Sequence, residues 1–383
     1  NPDHPIPRGK ATARYDAVLQ LLYHPDRIAE PQLRYSKAGN LVDISWDQAD
    51  ARFKEALSNA DGALTVVTNP LRGHLGAVAT NFAAQYNGKH MAFDPVEQGV
   101  LHGAVKSVLG QDQLPTFDIA NAQTVLSFGA DWLGTWGSPV QFGVKYGEFR
   151  EQDDRGYFIH AEPRMSLTAA AADLWLAPVP GTEGHLALAI ASVIIEEGLA
   201  SPQNVAAFEA AVPGGVSGVT LSDAAARTGV DEHRIEKAAK HFAEHTPSVA
   251  FGGGSAGAHT NGSFNLGAIF ALNILVGAVD AKGGVTSNPG SAIDGLSASA
   301  TGASFADWEA ELAEWRAGNV ETVIIRGADI VHGMPNSVAI REALEHVPNV
   351  IAFGAVLDDT MDFADLVLPE ETFLESWGID IPE

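Results

Sequence analysis

Short apolar blocks alternate along this chain with amphipathic stretches, and polar, glycine- or proline-rich turns separate them. Blocks at 63–67, 124–128, 157–160, 174–177, 248–251, 322–326, 350–353 and 364–368 are rich in Val, Ile, Leu and Phe. Their length and their bounding Gly, Pro or charged residues predict buried strands. Between them, apolar positions recur at helical spacing over 11–23, 46–57, 76–86, 184–197, 231–245, 264–276 and 338–345. In 46–57 the stripe is Ala49, Phe53, Ala56 and Leu57, and Ser45 with Gln48 three residues on predicts a capping box at its start. Strands alternating with helices predict an α/β fold of parallel βαβ units in doubly wound sheets. Residues 1–45 carry Pro2, Pro5, Pro7, Pro25 and Pro31 and read as irregular apart from one helix. The stretches 212–222 and 283–304, heavy in Gly and Ser, read as linkers or surface excursions.

Composition narrows the function classes. The 383 residues suffice for two or three domains at about 100–200 residues each. Acidic side chains outnumber basic ones 48 to 23, a net charge of −25, which repels nucleic-acid backbones and anionic lipid. Basic partners such as small cytochromes stay compatible with that surface, and solubility alone also accounts for it. There is no cysteine, so thiolate nucleophiles, disulfides and cysteine-ligated zinc or iron–sulfur clusters have no ligands in this sequence. No apolar run reaches the ~20 residues that span a bilayer. Asn1 is not a start methionine, so a processed or trimmed chain is expected.

Candidate chemistry is sparse. Gly252, Gly254 and Gly257 make a GxGxxG after a predicted strand, but His259-Thr260-Asn261-Gly262 delays the following helix and no ribose-binding acid follows. A dinucleotide-binding dehydrogenase rests on this match alone. His241 and His245 lie four apart on a helix, which is ligand spacing, yet Lys237 sits one turn before and a dipole-complementing helix end explains them equally. Asp358, Asp359, Asp362, Asp365, Glu370 and Glu371 could gather a divalent cation, against a solvated loop edge as the plain reading. In Pro180-Gly181-Thr182, Gly181 makes a turn and Thr182 is placed to cap a helix, with room for an anion.

The order of segments then resembles the molybdopterin oxidoreductase (DMSO reductase) superfamily. The residues that carry the likeness are His4-Pro5-Ile6-Pro7-Arg8-Gly9, Leu22-Tyr23-His24-Pro25-Asp26-Arg27, Ser45-Trp46-Asp47-Gln48-Ala49, Gly129-Ala130-Asp131, Pro180-Gly181-Thr182-Glu183, Leu272-Asn273 with Gly283-Gly284, and Ala364-Asp365-Leu366-Val367-Leu368-Pro369 with Leu374-Glu375. The resemblance implies a remnant of the iron–sulfur-type segment at 1–45, a discontinuous α/β domain at 46–128 and 305–383, and an inserted Rossmann-like α/β domain at 129–304. It implies that the family's C-terminal β-barrel is absent from this chain, which stops early against the family pattern.

The departures from the family pattern set the functional expectation. The family's fourth cluster cysteine falls on Thr12, and its metal ligand falls within 92–102, where Asp94 is the candidate by residue type. Asp131-Trp132-Leu133-Gly134-Thr135-Trp136 and Leu374-Glu375-Ser376-Trp377 resemble one branch in particular, the large iron–sulfur subunit of alternative complex III, whose molybdopterin-like domain carries no cofactor. That resemblance implies a non-catalytic structural subunit with no catalytic residue and no metal, on the periplasmic face of a bacterial inner membrane. Gly129, Pro180, Gly181, Thr182, Gly252, Gly254 and Gly257 would then be a vestigial pterin pocket. Iron–sulfur clusters and haem c would lie in partners: a multihaem cytochrome c, an integral membrane quinol-binding subunit and a ferredoxin-like domain. The alternative is an active molybdopterin oxidoreductase with Asp94 on the metal.

Overall fold

The structure is a computed structural model that describes residues 1–383 apart from 97, 112, 292, 297–301, 380 and 382–383. The chain divides into two compact units. The inner unit is Val100–Pro289 with Asn1–Thr12, and the outer unit is Ala13–Gly99 with Gly290–Glu383.

In the outer unit, alternation along each strand builds two cores. Val67, Val323, Ile325, Val350, Ala352 and Val367 pack on one face with Trp308, Leu312 and Trp315 of the helix Phe305–Arg316. The intervening residues Leu64, Val66, Ile324, Ile351, Leu366 and Leu368 pack on the other with Ala49, Ala56 and Leu57 of the helix Trp46–Ser58. Successive side chains of a strand point to opposite faces, so apolar residues recur on both faces of these blocks. The resulting sheet has seven strands in the order Leu41–Asp43, Gln32–Arg34, Leu366–Pro369, Asn349–Gly354, Thr322–Arg326, Leu64–Thr68, Lys89–Ala92. Ile324 pairs with Val66 on one side and Ile351 on the other, and the last five strands run parallel. Ser45 and Gln48 close the expected capping box.

The first two strands correct the irregular reading of 1–45. Gln32–Arg34 joins the sheet antiparallel to Leu366–Pro369, and Leu41–Asp43 pairs with it in turn. Arg34 fastens this hairpin: its Nε donates to the Ala364 carbonyl at 3.1 Å and its terminal nitrogens to Asp362 at 2.8 Å and Gly39 at 2.5 Å. Three-residue strands whose partner lies at the far end of the chain leave almost no local pattern.

The inner unit carries a parallel four-stranded sheet in the order Leu174–Leu176, Tyr157–Ala161, Thr124–Phe128, Ser248–Gly252. The strand Thr124–Phe128, placed by the sequence reading at the end of the first α/β segment, thus sits at the centre of this sheet. The helix Glu232–Glu244 buries Ile235, Ala238, Ala239 and Phe242, the spacing of one helical stripe. The helices Glu183–Glu196 and Gly262–Leu275 are apolar nearly all round, and both are buried along most of their length. Sequence reasoning missed the helices Gly99–Leu109 and Pro139–Arg150, whose glycines and mixed faces blur the period. The expected linkers are partly ordered. Thr220 caps the helix Leu221–Thr228, and Val285–Thr286 pairs with Thr116–Phe117, while 292 and 297–301 of the stretch 283–304 lie outside the described residues. Among the described residues the sheets are open and none closes into a barrel, and no helix is long and apolar enough to cross a membrane.

Candidate functional site

In a doubly wound sheet, ligands enter beyond the carboxyl ends of the strands where the strand order reverses. In the inner unit that point lies between Thr124–Phe128 and Ser248–Gly252. Here the two strand ends touch each other. The Gly253 N–H donates to the Phe128 carbonyl at 3.1 Å, and the Ser255 N–H to the Gly129 carbonyl at 3.3 Å. Gly129 has φ +64° and Gly254 φ +52°, both in the left-handed region. A Cβ at 129 would lie 2.5 Å from the Ala256 nitrogen, and one at 254 would lie 2.6 Å from the Gly129 oxygen. The Trp136 indole lies over Gly253 and stacks on Phe251 at 5.8 Å and Phe142 at 5.9 Å. A Cβ added at Gly252 or Gly257 would meet Leu266 side-chain carbons at 3.1 and 3.0 Å. The glycines of the GxGxxG stretch therefore serve close packing within the protein, and the next long helix begins only at Gly262.

Pro180-Gly181-Thr182 approaches the same helix start. Asn261 Nδ2 donates to the Gly181 carbonyl at 2.8 Å, and Asn265 Nδ2 to the Ala256 carbonyl at 3.1 Å. Thr182 does not cap as expected: its hydroxyl turns back to the Val179 carbonyl at 2.6 Å. Asn265 Oδ1, from the neighbouring helix, accepts the Gly184 N–H at 3.0 Å instead. Sequence reasoning missed Asn261 and Asn265. The available signal was a pair of asparagines, Asn265 and Asn273, inside an otherwise apolar helix. Asn273 clamps Ala250, accepting its N–H at 2.8 Å and donating to its carbonyl at 2.7 Å.

Glu183 is fully buried beside this joint. One carboxylate oxygen takes Asn265 Nδ2 at 3.3 Å; the other has no partner. Burial pushes the carboxyl up from its ordinary range. The folded state therefore holds this proton longer than the unfolded chain does. Stability falls as pH rises from the ordinary carboxyl range through the raised folded value. Glu183→Gln keeps an acceptor for Asn265 and removes the charge. It is expected to melt higher than the parent at about pH 8 and equally at about pH 4. Thermal unfolding at both pH values checks this, and a lower melting temperature at the higher pH would refute it.

A second polar network, also missed, runs below the sheet end. Ser127 Oγ lies 2.7 Å from His160 Nδ1, and His160 Nε2 lies 3.2 Å from Glu162, which also accepts the Ser166 hydroxyl. The residue types match a nucleophile relay, but Ser127 and His160 are wholly buried and Ser127 Oγ also takes the Trp132 indole N–H at 3.1 Å. It is a structural network with no access for a substrate.

The candidate metal residues separate. Asp94 follows the strand Lys89–Ala92 and accepts the Val96 N–H at 3.0 Å, closing a turn. Its neighbour Glu97 lies outside the described residues. The His241 and His245 rings stack face to face at 4.0 Å, with Tyr157 on the other side of His241 at 3.9 Å, so they pack as an aromatic column. Burial, then the neighbouring His245, lowers the His241 pKa to about 4. The carboxylate run disperses. Asp365 holds Lys37 at 2.6 Å and the Val350 N–H at 2.8 Å, Glu370 pairs with Arg326, and Asp358 takes the Met361 N–H. Among the described residues one group has ligand atoms close enough to share a metal ion: Asp329, His332 and Asp359. Two clefts, of about 460 and 430 Å³, are lined by residues around Arg227 and around Arg341, and neither includes the switch-point glycines. At the inner unit's switch point the chain's own residues meet closely. A Cβ at Gly129 would meet the Ser255 hydroxyl at 2.8 Å and one at Gly253 would press on the Trp136 indole nitrogen, so the strand ends are packed against side chains of this unit.

Comparison with known proteins places these features. A family model described as molybdopterin oxidoreductase matches residues 27–381. The menaquinone reductase molybdopterin-binding-like subunit of Nitratidesulfovibrio vulgaris is 29% identical over 98% of this chain and 55% of its own length. The molybdopterin-containing subunit of arsenate respiratory reductase from Chrysiogenes arsenatis is 27% identical over 74% of this chain and 38% of its own. The chain spans about half the length, or less, of these curated relatives. Acetylene hydratase from Pelobacter acetylenicus has the same fold, with a TM-score of 0.75 over 96% of this chain and 58% of that one, at 18% identity.

Proposed function

We propose a role that starts from kinship: the chain belongs to the molybdopterin oxidoreductase family, and within it acts as a non-catalytic structural subunit of a quinol:electron-acceptor oxidoreductase of the alternative complex III type. One observation carries the reading. The chain has no cysteine to ligate a cluster or the metal, and Asp94, the candidate oxygen ligand by residue type, has its Oδ1 held in a turn by the Val96 N–H. The strand ends joined at Gly129 and Gly254 support it, since they fill the place where the inner unit would take a ligand. A relative named as the molybdopterin-binding-like subunit of a menaquinone reductase supports the quinone-linked setting.

On this reading the partners hold the redox groups: a multihaem cytochrome c, a ferredoxin-like cluster domain and an integral membrane quinol-binding subunit. The chain itself would lie peripherally on the periplasmic face and meet the membrane through them. The acidic surface, at net −25, suits a basic electron carrier. The glycine contacts described above weigh against a dinucleotide-binding dehydrogenase.

Elemental analysis of the purified chain, with an assay for released pterin, is expected to find neither molybdenum, tungsten nor pterin. Near-stoichiometric metal with pterin overturns the proposal in favour of an active oxidoreductase that uses Asp94. Asp94→Ala in the assembled complex is expected to leave quinol oxidation within about twofold of the parent. Lost activity in a complex that still assembles would count equally against the scaffold role.

A further inference from the structure

We propose that Asp329, His332 and Asp359 form a binding site for a single borderline divalent cation, zinc by preference, on the carboxyl edge of the seven-stranded sheet. Asp329 follows the strand Thr322–Arg326, and Asp359 follows the adjacent parallel strand Asn349–Gly354. Topology thus brings together residues thirty positions apart at the edge where sheets of this kind place their ligands.

The geometry suits zinc. The candidate ligand atoms all lie within 4.8 Å of one another. His332 Nδ1 and Asp359 Oδ2 are 3.3 Å apart. Two ligands on a tetrahedral zinc at about 2.0–2.1 Å stand about 3.3 Å from each other. The positions are also held in place. Thr360, which is buried, donates its hydroxyl to Asp329 Oδ1 at 2.7 Å and accepts the Val331 N–H at 3.0 Å. The His332 N–H reaches the same Asp329 oxygen at 3.2 Å. Asp329 Oδ2 has no such bond among those described and remains for a metal. A carboxylate fixed from behind by hydroxyl and amide is the usual support of a metal ligand.

Charge decides between a cation and a plain ion pair. A His332–Asp359 pair with side chains 78% and 55% exposed contributes little by itself. It also leaves Asp329 as a second carboxylate converging on one imidazole. Arg341, over the Phe363 ring at 5.9 Å, and Arg34, which bonds three backbone carbonyls, line the cleft that Asp359 borders. Neither forms an ion pair with the three ligands among those described. One imidazole with two carboxylates selects zinc, cobalt or nickel over magnesium and calcium, which take oxygen. The remaining position is open to water.

The test is titration of the full chain, stripped with a chelator, with zinc against a chromogenic competitor, and with cobalt followed by its visible spectrum. One equivalent is expected to bind, with the intense visible bands of four-coordinate cobalt. His332→Ala and Asp359→Asn, both at exposed positions, are each expected to weaken binding at least tenfold while the circular dichroism stays that of the parent. Magnesium at the same concentration is expected not to compete. Absence of stoichiometric binding overturns the site, as does binding unchanged in His332→Ala, which would assign the ion to other histidines. The outcome is independent of the scaffold reading, since neither Asp94 nor pterin takes part.

Discussion

Trp132→Ala is expected to lower the stability of the inner unit by about 3–5 kcal/mol, among the largest losses available to one substitution in this chain. Trp132 is fully buried at the hub of an aromatic cluster. Its ring meets Phe158 at 5.1 Å, Phe142 and Tyr146 at 5.8 Å and Phe251 at 5.9 Å, all nearly edge to face. Truncation forfeits those contacts, opens a cavity between two strands and a helix, and removes the indole donor from Ser127. Trp132→Phe should recover much of the packing but not the hydrogen bond. It should fall between the two, about 1–2 kcal/mol below the parent. Urea unfolding followed by far-ultraviolet circular dichroism reads both. A loss under about 1 kcal/mol for the alanine variant would mean the cluster is not the keystone described here.

Gly129→Ala carries nearly as large an expected effect, and it bears on function as well as folding. The left-handed backbone adds about 1–2 kcal/mol of strain for any other residue. The new methyl would press on the backbone of Ala256, which cannot swing aside as a side chain would. Together these predict a loss of about 2–5 kcal/mol. Gly254→Ala strikes the same contact from the opposite strand. The double variant should therefore lose less than the sum of the two singles, since one joint cannot be broken twice. Chemical denaturation of the three variants provides the check. If Gly129→Ala is tolerated, the strand ends are not in contact and the crevice is open to a ligand.

Much of the fold was legible because both faces of each sheet are covered. Blocks such as Thr322–Arg326 and Thr124–Phe128 had to be apolar at most positions, and both fell on the predicted residues. Helices with a clean stripe, Trp46–Ser58 and Glu232–Glu244, were equally plain. The edge hairpin was not, because three-residue strands take their identity from Arg34 and from partners over three hundred residues away. The helix Phe305–Arg316 was lost beside a Gly/Ser stretch, although Ser304 and Asp307 carry a capping box. For the candidate site, the sequence marked Gly181 and the glycines after 251 but not what they touch. Asn265 and Trp136 became their neighbours only through the tertiary fold. Asp359 was in view within a run of carboxylates, whereas Asp329 and His332 stood in a different segment and were passed over.

The outer unit's sequence flanks most of the inner unit's along the chain, and this has a consequence for how the chain comes off the ribosome. All four strands of the inner sheet lie between residues 124 and 252, so that unit can close while the rest is still being translated. The outer sheet cannot. Its strand Leu64–Thr68 must wait for Thr322–Arg326, and Gln32–Arg34 for Leu366–Pro369. Until then the edge of Leu64–Thr68 away from Lys89–Ala92 has no partner strand, and pairing over such sequence separations is slow. The early-made half of the outer unit is therefore the segment that a nascent-chain chaperone would have to shield the longest.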